Sequence, residues 1–130
     1  MALHPAATVV RAGSVRDVAT LLGKVQEAIE DGDGACISLF ADISKTGEED
    51  GMSLQELCRV SEIPHNKIQV STAGRLQNSG FDIALDVSND QAATHHSLTF
   101  TEPVEESELE KFIRCFDEPI PNPTPKRKPR

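Results

Sequence analysis

Between residues 81 and 88 apolar and polar side chains alternate without a break: Phe81, Ile83, Leu85 and Val87 against Asp82, Ala84, Asp86 and Ser88. Successive strand side chains point to opposite faces, so this run is a strand with one greasy face and one wet face. Such a strand is not stable alone; it needs neighbours beside it and a layer over its apolar side. A second run supplies a neighbour. His96, Leu98 and Phe100 alternate with Ser97, Thr99 and Thr101, and residues 88–91 read as the turn of an antiparallel hairpin.

The covering layer is written in a different period. Val15, Val18, Leu21, Leu22, Val25 and Ile29 form one stripe at helical spacing, with Ser14 as N-cap, Asp17 in the first turn, and Gly32 and Gly34 past the end. Ser53 and Glu56 make a capping box for a short helix through Leu54, Leu57 and Cys58, which must end before Pro64. Leu109, Phe112, Ile113 and Phe116 set the last helix, entered through Glu102 and Pro103 and stopped before Pro119. Between the helices, residues 8–10, 35–43 and 68–71 have strand character, and 74–80 reads as a turn-rich connection. The expected fold is α+β: one mixed or antiparallel sheet with helices packed on it, in the order β-α-β-α-β-β-β-α.

A chain of 130 residues with 38% hydrophobic side chains supports one domain. The expected boundaries are 1–118 for that domain and 119–130 for a Pro-rich tail, which holds Lys126, Arg127, Lys128 and Arg130 and no acid beyond position 120. The net charge is −8, so the body attracts basic partners and repels phosphate backbones. No apolar run approaches the roughly 20 residues of a membrane-spanning helix, and no membrane partner is expected. Three cysteines, Cys36, Cys58 and Cys115, with no C-x-x-C spacing, fit free thiols in a reducing, cytoplasmic setting. Residues 1–12 lack the basic and apolar regions of a secretory signal.

The chemistry-bearing residues are few. No phosphate loop, dinucleotide fingerprint, zinc-protease motif or nucleophile elbow is present, so no catalytic residue and no cofactor is expected. Asp82, Asp86 and His95 share one strand-face parity, and carboxylate with imidazole suits a divalent metal, although an antiparallel sheet also shows such residues to water without binding anything. His96 has core parity and reads as a buried, satisfied histidine. Cys58 and Cys115 sit in apolar helical stripes, where packing explains them better than nucleophilic chemistry. Glu105, Glu106 and Glu108 suit the positive end of a helix and also offer an acidic patch.

Residues 53–81, with Leu54, Leu57, Ile63, Ile68, Leu76 and Gly80-Phe81, loosely resemble a winged helix-turn-helix, which implies a DNA-binding regulator with the 81–100 hairpin as wing. Against that, the segment after Pro64 carries only Lys67 and Arg75 as cations, and Ile68-Gln69-Val70-Ser71-Thr72 prefers strand. The element order up to Gly74 is similar to that of phosphocarrier HPr-like domains, whose phosphorylated histidine opens the first helix. Here that position reads Gly13-Ser14-Val15-Arg16. The expectation is therefore a non-catalytic protein-interaction module, accessory, regulatory or immunity-type. It would use an acidic surface (Glu105, Glu106, Glu108, Asp82 and Asp86) and a sheet edge toward a basic partner protein or a second copy. The alternatives are the DNA-binding regulator, with nucleic acid disfavoured by charge, and a small enzyme whose site has no motif.

Overall fold

In the computed structural model, residues 3–87 and 92–125 are described. The chain runs β1 (Thr8–Ala12), α1 (Val18–Glu30), β2 (Cys36–Ala41), α2 (Leu54–Ser61), β3 (Lys67–Thr72), α3 (Ala73–Asn78), β4 (Asp82–Leu85), β5 (His95–Thr99), α4 (Glu106–Arg114) and β6 (Ile120–Pro121). The six strands form one sheet in the order β4-β5-β2-β1-β3-β6. Every pairing is antiparallel. The fold is α+β. No helix among the described residues is long and apolar enough to cross a membrane.

The two sheet faces bury different helices. Val9, Leu39, Ala41 and Leu98 point to one face and meet Leu21 and Val25 of α1 and Leu109, Phe112 and Ile113 of α4. Phe112 is the hub of an aromatic cluster, its ring 6.0 Å from Phe81, 5.6 Å from Phe100 and 5.1 Å from Phe116. The other face is covered by α2 and its flanking residues Met52 and Ile63, with Leu57 and Cys58 packed on Val10 and Ile68 and Phe40 and Val70 alongside. That helix lies over the β1 and β3 side. The same face of β2, β5 and β4 carries Cys36, Ser38, Ser97, Thr99, Asp82 and Asp86 instead, a polar composition that needs no apolar cover.

Several local elements differ from the sequence reading. The first helix begins at Val18, not after Ser14: Asp17 is the N-cap, its carboxylate accepting the Thr20 N–H at 2.8 Å. The Val15 carbonyl is taken by Arg11 at 2.7 Å and Gln69 at 3.2 Å, which holds that stretch outside the helix. The 74–80 connection contains α3, capped by the Thr72 hydroxyl accepting the Arg75 N–H at 3.2 Å, with Ala73 and Leu76 buried. The Pro-rich segment starts as sheet: Ile120 faces Ile68, Pro121 faces Lys67, and the buried Asn122 amide donates to the carbonyls of Ile63 and His65. The turn expected at 88–91 and the basic residues 126–130 lie outside the described residues.

Candidate functional site at the fork between β1 and β2

The β1–β2 ladder is short. Val9 faces Ala41 and Val10 faces Phe40, and there the pairing ends. Beyond that point β1 continues alone with β3 through Arg11 and Ala12, and β2 continues alone with β5 through Leu39, Ser38, Ile37 and Cys36. The two central strands therefore part like a fork. A cavity of about 390 Å³ opens there, lined by Ala12, Ser38, Phe40, Lys24, Glu27 and His65, with Arg11 and Cys36 among its other walls. That volume is at the lower end of small-molecule sites. In a chain of net charge −8, this cavity is lined by Arg11, Lys24 and His65 against the single carboxylate of Glu27.

On the rim, Ser38 and His95 meet across the β2–β5 pairing. Ser38 stands opposite Ser97 and Phe40 opposite His95. The His95 Nε2 lies 3.0 Å from the Ser38 hydroxyl, and its Nδ1 lies 2.6 Å from the Asp86 carbonyl oxygen. The Asp86 carboxylate is 4.0 Å from the same Nδ1 and accepts the Ser97 hydroxyl at 2.9 Å. Phe40 packs edge-on against the imidazole at 5.6 Å, and His95 is buried while Ser38 is exposed. A carbonyl oxygen can only accept, so the 2.6 Å contact puts the imidazole proton on Nδ1. In the neutral imidazole Nε2 then accepts from the Ser38 hydroxyl.

The candidate metal triad weighed from the sequence is only partly assembled. Asp82, Asp86 and His95 do share one sheet face, and Asp86 meets His95, but Asp82 lies four residues away along the strand. Among the described residues no group of three or more His, Cys, Asp or Glu side chains could hold a metal ion. His96 points to the opposite, buried face, where its Nδ1 lies 2.7 Å from the Thr94 carbonyl oxygen, and burial pushes its pKa below the usual imidazole value. Burial pushes the Cys58 thiol up to about 11, and Cys115 is buried with its thiol 3.3 Å from the Ser79 hydroxyl, so neither is placed as a nucleophile. Cys36 is raised by burial and by Asp33 and Asp86.

Glu105, Glu106 and Glu108 surround the start of α4, on the other side of the sheet from Asp82 and Asp86. Glu105 is the N-cap without a side-chain cap bond, and Glu108 pairs with Lys111 at 3.1 Å. The segment compared with a DNA-reading helix is β3, a sheet strand, and Arg75 beyond it is paired with Asp117 at 2.9 Å. Sequence reasoning missed Ser38, Lys24 and His65. Ser38 was visible only as a polar residue between Ile37 and Leu39, and its partner His95 is 57 positions away.

Compared with known proteins, the chain matches no family model, and no curated protein or solved structure matches it significantly.

Proposed function

We propose that the chain is an interaction module of accessory, regulatory or immunity type that takes an extended, basic segment of a partner protein as an added strand on β4. The observation that carries this reading is the apolar stripe left on a sheet edge: Leu85 is 57% exposed and Val87 49% exposed, at the end of a strand that pairs only with β5 among the described residues. A terminal strand offers a row of outward N–H and C=O groups, and exposed apolar residues beside them favour strand addition. The opposite edge is less suited, because β6 is two residues long and one is proline. Asp82 and Asp86 on the other face of β4, with the −8 net charge behind them, favour lysine and arginine at alternate positions of the incoming strand. Glu105, Glu106 and Glu108 add to the field that steers it. The free cysteines Cys36, Cys58 and Cys115 support a reducing, cytoplasmic setting.

A short peptide alternating lysine with valine serves as probe. The expected result is slowed amide exchange along β4, an affinity that weakens at least about tenfold from low to high salt, and loss of binding in Leu85→Pro. Alternation turns the Leu85 N–H to the free edge, because the Asp86 N–H is taken by the His95 carbonyl on the β5 side. Unchanged exchange along β4, or binding indifferent to salt, removes the reading.

A further inference from the structure

We infer that the fork cavity is an acyl-transfer site in which Ser38 is the nucleophile and His95 the general base toward a small ester. The inference is independent of strand addition on β4, since it uses β2 and β5 and the cavity beside them.

Three observations carry it. First, the hydrogen-bond polarity is set for proton removal. The Asp86 carbonyl holds the proton on Nδ1 of His95, which leaves Nε2 to accept from the Ser38 hydroxyl at 3.0 Å. A nucleophile and base within hydrogen-bond reach, with the base oriented by a third group, is the arrangement that activates a hydroxyl. Second, the Ser38 side chain is exposed while its base is buried, held against Phe40 and away from competing solvent. Third, the fork supplies an oxyanion donor. The Asp42 N–H reaches the Thr8 carbonyl on the β1 side, and alternation along the strand puts the Ser38 N–H on that side too. At Ser38 the ladder with β1 has already ended, so this N–H faces the gap into which the cavity opens. A backbone N–H on the nucleophilic residue itself lies where charge develops on the carbonyl oxygen.

The step balances without a further reagent. The Ser38 oxygen forms a bond to the ester carbonyl carbon while its proton passes to Nε2. The ester C–O bond then breaks, and the leaving alkoxide takes that proton from His95. Water, deprotonated by the same Nε2, cleaves the acyl-serine and regenerates the hydroxyl. Lys24, His65 and Arg11 around the cavity favour acyl groups that end in a carboxylate.

The test uses the full chain with a fluorophosphonate probe, read by intact mass and peptide mapping, alongside hydrolysis of p-nitrophenyl acetate and p-nitrophenyl hemisuccinate. The expected result is one phosphonyl adduct, on Ser38, with loss of the adduct in Ser38→Ala and labelling slowed about a hundredfold in His95→Gln. The hemisuccinate should be hydrolysed faster than the acetate, and Lys24→Ala should remove that preference. Nitrogen-15 spectra of the imidazole should show His95 protonated on Nδ1. Should His95→Gln not fold, Ser38→Cys replaces it: the thiol it introduces should react with iodoacetamide at least about tenfold faster than that of Cys36. No adduct on Ser38, equal labelling in His95→Gln, a proton on Nε2, or a thiol in Ser38→Cys no faster than Cys36 each overturns the inference.

Discussion

Arg11 provides the sharpest test of how this core is held together. It is 5% exposed, its guanidinium donates to the Val15 carbonyl at 2.7 Å, and the same group sits 5.4 Å from the Phe112 ring centroid. Among the described residues no carboxylate is paired with it. Burial, and secondarily the charge of Arg16, pushes its pKa well below the usual guanidinium value, to about 10. A fall of that size corresponds to about 3 kcal/mol against the charged form in the folded state. The folded value lies below the unfolded one, so stability rises only as pH climbs above about 10 toward the unfolded value, and the full cost is present at neutral pH. Opposing it are a charge-assisted hydrogen bond, about 1.5–3 kcal/mol, and a desolvated cation–π contact of about 2 kcal/mol. Arg11→Met removes the cost and both gains together. It keeps an unbranched side chain against Phe112, and the Val15 carbonyl stays satisfied by Gln69 at 3.2 Å. The gains exceed the cost by only about 0.5–2 kcal/mol, so Arg11→Met should fall within about 2 kcal/mol of the parent in urea unfolding followed by circular dichroism, with unchanged slope. Arg11→Ala also loses the packed stem and leaves a void, and should cost about 2 kcal/mol more. A loss above about 3 kcal/mol in Arg11→Met would refute the reasoning, because the guanidinium would then be a net anchor.

Three further outcomes rest on other buried groups. Phe112→Ala removes a fully buried ring with three aromatic neighbours and should cost about 3–5 kcal/mol, measured by the same unfolding assay; Phe112→Leu should recover most of it. His96 is held neutral by burial, its folded pKa below the unfolded value of about 6.5, so it contributes stability above that pH that is lost as pH falls below it. The drop in urea midpoint between about pH 7.5 and about pH 5.5 should therefore be smaller in His96→Gln. The buried Asp42 carboxylate ties the 43–51 loop down by accepting the Ser44 N–H at 2.9 Å and the Met52 N–H at 2.7 Å, and Gly51, at φ +82°, leaves no room for a Cβ beside it. Asp42→Ala and Gly51→Ala should each lower stability in urea, by about 1–3 kcal/mol, with faster amide exchange in that loop; a double variant should show less than the sum, because both act on one contact.

The candidate site was legible only in fragments. Strand parity put Asp82, Asp86 and His95 on one wet face, and the structure keeps them there and brings Asp86 against His95. The same parity separated His96 onto the buried face. Ser38 carried no local signal, because a serine between Ile37 and Leu39 in a strand is ordinary, and what distinguishes it is a contact to a distant strand.

What the sequence determined by itself is the type of its strongly periodic segments, since the period of apolar residues is a local property of the backbone geometry. The 82–85 and 95–99 strands and the α4 stripe were readable in that way, and the N-cap at Ser53 from its residue type, although the Glu56 carboxylate pairs with Arg59. Tertiary structure decided the rest: the strand order, the early parting of β1 from β2, the helical turn at α3, the closure of the far edge by Ile120 and Pro121, and the pairing of Ser38 with His95. Each of these depends on which segments meet across the sheet, and that is set by the summed burial of distant side chains, not by any pattern along the chain.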